Sequence, residues 1–72
     1  MSKEIEVIKN DGDKETYRIL EVGDDYLVQK YDKSNWGFIP YDDVDRCKSP
    51  ENIDHIIRKN EDGDVASMGT IN

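Results

Sequence analysis

The sequence predicts a small α+β domain, an antiparallel four-stranded sheet followed by one C-terminal helix. Three observations lead there. The apolar residues are of the strand-forming kind, with eight Ile and five Val against two Leu and one Ala, and β-branched side chains suit a pleated surface better than a helix. Up to Tyr41, apolar and polar side chains alternate between Gly- and Asp-rich turn signals. Only SPENIDHIIRKN changes to a helical period. At 72 residues the chain holds one domain with a small core.

Each element follows from its own residues. EIEVI (4–8) alternates charge and apolarity and puts Ile5 and Val7 on one face of a first strand. NDGD (10–13) is a turn, with Gly12 free to take positive φ. KETYRILEV (14–22) is a second strand, with Tyr17 and Ile19 on one face and Arg18, Leu20 and Val22 on the other, completing a hairpin. GDD (23–25) turns the chain into a third strand, YLVQKY (26–31). After the polar DKSN, WGFIPY (36–41) reads as the fourth strand, with Trp36 and Phe38 sharing a face and Pro40 at a strand end or edge. In the helix, Ser49 is the expected N-cap and Pro50 the first helical residue. Glu51 and Asp54 lie early and Arg58 and Lys59 late, as the helix dipole favours. Ile53, Ile56 and Ile57 form one apolar stripe, to be covered by the sheet or by a second subunit. Residues 1–59 are thus read as one α+β domain, and 60–72 as a flexible acidic and polar tail.

GFIPYDDV (37–44) resembles the closing strand and short helical turn of Src-homology-3 domains, in which a Gly-hydrophobic-hydrophobic-Pro run precedes an aromatic and a Val. The resemblance covers eight residues and implies a barrel-like curl of the sheet. The paired tryptophans and acidic loop of that family are not placed upstream as expected.

Charge narrows the function. Seventeen acidic and ten basic residues give a formal net charge of −7, which repels DNA, RNA and anionic membranes and permits a basic protein partner. The bland alternative is an acidic surface that keeps a small domain soluble. Cys47 is the only cysteine, so neither an intramolecular disulfide nor a multi-thiolate zinc site is available. The N-terminal MSKEIEVIKN lacks the apolar core of a signal peptide, and no run approaches membrane-spanning length; the expectation is a soluble protein of the cytoplasm.

Specific chemistry is poorly supported. An EF-hand loop needs oxygen ligands at positions one, three and five and Gly at six. Gly12, Gly23 and Gly63 would put Val7, Arg18 and Arg58 first; Gly37 puts Asp32 first but Trp36 fifth. Cys47 and His55 would need an orienting group, an oxyanion hole and a pocket, which so short a chain can hardly enclose. Paired carboxylates for glycoside hydrolysis need a cleft in the same way. No enzyme activity, metal or cofactor is expected. Tyr17, Tyr26, Tyr31, Trp36, Phe38 and Tyr41 could form a stacking platform, but nucleobase platforms sit in a basic field. Trp36 and Phe38 are read as core, and Tyr26, Tyr31 or Tyr41 as interface candidates.

The negative surface remains. Residues two apart on an extended strand lie about 6.6 Å apart on one face, close to two steps of the ~3.4 Å base rise along a nucleic-acid strand. Asp11 with Asp13, and Asp43 with Asp45, have that separation if extended, and Glu51 and Asp54 are neighbours on the helix. Asp24 and Asp25 add a further pair at a turn, and Asp42 extends the run in YDDVDRC. Lys3, Lys9, Lys14 and Lys33 interrupt the array and would have to lie behind it.

In size, acidity and strand-then-helix layout, the chain resembles the small early proteins that lytic phages of Bacillus use against host machinery, and among them the inhibitor of the nucleoid-associated protein HU. The resemblance spans the chain through its overall character and carries no motif. It implies an acidic DNA mimic, dimeric, that occupies the DNA-binding surface of HU in the host cytoplasm. Contact positions therefore rest on charge and spacing alone: Asp11, Asp13, Asp24, Asp25, Asp42, Asp43, Asp45, Glu51 and Asp54. The rival expectation is a barrel-like adaptor that binds a host protein or peptide through exposed aromatics.

Overall fold

The computed structural model describes residues 2–34 and 40–71. Five strands and one helix follow in order: β1 (Ser2–Ile8), β2 (Lys14–Val22), β3 (Asp25–Tyr31), β4 (Tyr41–Cys47), α1 (Glu51–Asn60) and β5 (Ser67–Thr70). All pairings are antiparallel and the sheet order is β4-β3-β2-β1-β5. The fold class is α+β as the sequence predicts, with five strands in place of four. The sheet does not close into a barrel. Its outer strands, β4 and β5, have no further strand partner among the described residues.

The first hairpin follows the sequence closely. Gly12 sits at φ +89° and its N–H donates to the Lys9 carbonyl at 3.0 Å. Gly23, at φ +62°, turns β2 into β3. These conformations are open to glycine at no steric cost. The register pairs Ile5 with Tyr17 and Ile19 with Val28, so alternate residues bring one apolar face together. Ile5, Val7, Tyr17, Ile19 and Val28 are buried on that face, and α1 lies over it with Ile57 fully buried. Ile53 and Ile56 pack beside them. The Ile53/Ile56/Ile57 stripe thus faces the sheet of its own chain.

Three expectations about local structure change. The fourth strand was expected at 36–41, and Trp36 and Phe38 with it lie outside the described residues. The described fourth strand is YDDVDRC itself, 41–47; Tyr41–Val44 is extended where the Src-homology-3 likeness implied a helical turn. At the helix start the Ser49 side chain makes no capping bond to the backbone. Its hydroxyl donates instead to the Glu51 carboxylate at 3.0 Å, and the helix opens at Glu51 after Pro50. Finally, the segment read as a mobile tail carries β5. Met68 pairs with Val7 and packs on the core. The Ala66 N–H donates to the Ile8 carbonyl at 2.7 Å, and that of Ile71 to Glu4 at 3.1 Å. Four residues with two small side chains carry almost no periodic signal, and the strand exists because β1 offers it an unpaired edge.

The connection from α1 to β5 is a Schellman turn. The Gly63 N–H donates to the Arg58 carbonyl at 2.9 Å and the Asp62 N–H to that of Lys59 at 3.1 Å, which satisfies two carbonyls at the helix end. Asp62 takes the left-handed position, φ +57°, the only described non-glycine residue with positive φ, where an L side chain carries a steric cost. Asp62→Gly is therefore expected to raise stability by roughly 0.5–1 kcal/mol, measured by urea denaturation. Ile57→Ala, which removes the fully buried anchor of the helix, is expected to cost about 2–5 kcal/mol in the same measurement.

Candidate acidic interaction surface

The edge strand β4 brings three of the predicted acids together and sorts them in an unexpected way. Gln29 pairs with Asp43 and Val28 with Asp45, so Val44 has no partner of its own on β3. This is a β-bulge, two residues opposing one. Directly opposed residues share a face. Asp43 therefore lies on the open face of the sheet with Gln29, and Asp45 on the helix side with the buried Val28. The expected same-face Asp43/Asp45 pair at phosphate spacing is corrected: Val44 packs against the core, and the bulge that seats it turns the next carboxylate to the opposite face.

The surroundings of the three acids differ. On the open face, the Gln29 side-chain amide donates to Asp43 at 2.7 Å. Its carbonyl accepts from the Arg18 guanidinium at 2.9 and 2.6 Å, while Arg18 stacks 3.8 Å from the centre of the Tyr41 ring. Tyr31 meets Tyr41 edge-on at 5.5 Å. On the helix side, Asp45 lines a shallow cleft with Val44, His55, Ile56 and Lys59. Asp42 and Asp32 border a second one with Lys30 and Lys33. Asp42, Asp43 and Asp45 are all exposed. Among the described residues, none of them belongs to an ion pair.

The other predicted acids divide into two groups. Asp25 is held by Lys48 at 2.9 Å and Arg46 at 3.7 Å, and the Lys48 hydrogen bond, with the charges of Lys48 and Arg46, lowers its pKa. Asp13 pairs with Lys33 at 3.8 Å and Asp54 with Arg58 at 3.0 Å. Internal cations thus already partner these three. Asp11 accepts the Asp13 N–H at 2.9 Å, Glu51 accepts the Ser49 hydroxyl, and Asp24 stands exposed in the β2–β3 turn. Asp32, not among the predicted contacts, accepts from the hydroxyl and N–H of Ser34 at 2.7 and 2.9 Å, and those bonds lower its pKa.

Cys47 and His55 have different surroundings. The thiol donates to the Ser49 carbonyl at 3.3 Å, and His55 is exposed on α1. Among the described residues no group of three or more His, Cys, Asp and Glu side chains has metal-ligating geometry, and no helix is long and apolar enough to cross a membrane.

One acid that sequence reasoning passed over is buried. Glu61, directly after α1, is 5 % exposed. The Tyr17 hydroxyl donates to its carboxylate, Lys30 lies at 2.8 Å and Lys9 at 3.5 Å. The Asn60 amide donates in turn to the Tyr17 oxygen at 2.8 Å. Burial pushes the Glu61 pKa up, but the hydrogen bonds from Lys30 and Tyr17 and the charges of Lys30 and Lys9 outweigh it, and the carboxyl lies below its usual range. Burial and the bond to Glu61 push the Tyr17 phenol well above its ordinary value. The sequence did carry a signal: an acid at the negative end of a helix opposes the dipole and calls for nearby cations.

Comparison with models of protein families, with curated proteins and with solved structures returned no match to this chain.

Because the folded Glu61 pKa is depressed, its ionisation stabilises the fold above the ordinary carboxylate pKa, and that contribution is lost as pH falls through the depressed value. Glu61→Gln is expected to flatten the acid side of a stability–pH profile followed by urea denaturation. Glu61→Ala, which leaves Lys30 and Tyr17 without their acceptor, is expected to cost on the order of 3 kcal/mol at neutral pH.

Proposed function

We propose that this protein binds a basic DNA-binding protein, of the HU type that the sequence resemblance suggests, and competes with DNA for its cationic surface. The observation that carries the reading is the β4 edge, where Asp42, Asp43 and Asp45 are exposed and free of ion pairs among the described residues. The internal partners of Asp43 and Asp45 are neutral, the Gln29 amide and the Arg46 N–H, so a partner's Lys and Arg would displace no ion pair of the fold there. Asp11, Asp24 and Glu51 are secondary contacts on the same criterion. Asp13, Asp25 and Asp54 are already matched by lysine or arginine and contribute less. The net charge of −7 would speed encounter with a cationic surface and make affinity fall with salt.

Binding of a host protein or peptide through aromatics is the second reading, favoured by one observation. Tyr31 is 39 % exposed and sits edge-on against Tyr41 on the sheet face that α1 leaves open.

A gel-shift competition separates the two. With an HU-type protein bound to duplex DNA at low salt, the wild-type chain is expected to release the DNA, and added salt to weaken the effect. Asp42→Lys with Asp45→Lys is expected to weaken competition about tenfold, two lost charge pairs with new repulsion, while Tyr31→Ala leaves it nearly unchanged. The reverse order favours the aromatic reading. No displacement by folded wild-type protein at low salt sinks the competition proposal.

A further inference from the structure

We propose that β4 receives its partner as an added strand: an extended segment rich in lysine and arginine pairs its backbone with the outer side of β4 and sets its cations against carboxylates on both faces of the sheet. This rests on the reading of a basic partner and specifies how that partner is held.

Two independent features of the edge support it. β4 stands at the end of the sheet order, with no strand on its outer side among the described residues. In an antiparallel sheet, alternate residues of an edge strand direct their N–H and C=O outward, so on either side of the bulge at Val44 β4 offers donors and acceptors to another strand. Side-chain charge then decides which strand is accepted. The bulge at Val44 places Asp43 on the open face and Asp42 and Asp45 on the helix side. An added strand also projects its side chains to the two faces in turn. A basic segment therefore meets a carboxylate on either face, whereas a neutral strand would gain no charge pairing and an acidic one, including β4 of a second copy, would be repelled. Of the cations near this edge, Arg46 is engaged by Asp25, Arg18 by Gln29 and Lys30 by Glu61 and Glu15; Lys59 lines the cleft with Asp45.

The test uses the full chain and two short capped peptides of one sequence, lysine alternating with valine apart from one pair of adjacent lysines, so that both faces receive a cation. In one peptide, alternate backbone nitrogens on the pairing side are methylated. The two carry equal charge, and only the first can complete the ladder. The unmethylated peptide is expected to bind at low salt and to slow amide exchange in β4. The methylated peptide is expected to bind about tenfold more weakly, as loss of about two net backbone hydrogen bonds predicts. Asp42→Lys with Asp45→Lys is expected to weaken the unmethylated peptide, with unchanged amide exchange in β1 and β2 of the free variant showing that the sheet is intact. Equal binding of the two peptides, or protection confined to other strands, overturns strand addition, whether or not the protein displaces DNA in the competition assay.

Discussion

The Glu61 carboxylate ties the end of the helix to two strands of the sheet and to the turn after β1. It follows the last residue of α1, yet it takes a hydrogen bond from Tyr17 on β2 and a charge from Lys30 on β3, with Lys9 beyond β1 completing the set. The core beneath it is small: Ile5, Val7, Tyr17, Ile19, Val28 and Ile57. So short a helix gains little from propensity alone and depends on what it packs against. Ile57 fixes one turn by burial, and Glu61 fixes the helix end by charge. A buried carboxylate is tolerable only with its lone pairs satisfied. Here they are, and among the described residues no buried side-chain nitrogen or oxygen lacks a partner.

The same lock directs the chain that follows. From Glu61 the backbone enters the Schellman turn through Asp62 and Gly63. Asp64 then accepts the Asn10 N–H at 2.9 Å, which delivers residues 66–71 to the free side of β1. Internal ion pairing takes up Lys9, Lys30 and Lys33 in this region and Arg46, Lys48 and Arg58 elsewhere. These pairs leave Asp42, Asp43 and Asp45 on β4 without an ion-pair partner among the described residues. Charges and a bulge on an edge strand also discourage the edge-to-edge association that an open sheet invites. On the proposed reading, the charges that discourage self-association would also favour a basic strand, because both follow from the sign of the charge.

Much of the fold was legible in the residues. EIEVI and KETYRILEV declare their faces by alternation, Gly12 and Gly23 mark the turns between β1, β2 and β3, and Ile53, Ile56 and Ile57 predict the buried side of α1. The errors share a cause. YDDVDRC reads as a polar ledge because three carboxylates hide the strand preference of Tyr41 and Val44, and on an edge strand solvent takes most of the side chains whatever their polarity. SMGT has too few residues for a period to show. In both places the strand is set by an unpaired edge next to it.

The candidate site shows the same division. Sequence alone determined the sign and abundance of the charge and the presence of Asp42, Asp43 and Asp45 in one short run. It also determined the face on which Tyr17 and Ile19 are buried, since local alternation is a property of neighbours along the chain. Tertiary structure decided which acids are left without ion pairs, for ion pairing joins residues as distant as Asp25 and Lys48 or Lys30 and Glu61. It also decided that Asp43 and Asp45 point to opposite faces, because the register of β4 is set by how Val44 fits against the sheet and helix, and one unpaired residue there reverses the side of everything after it.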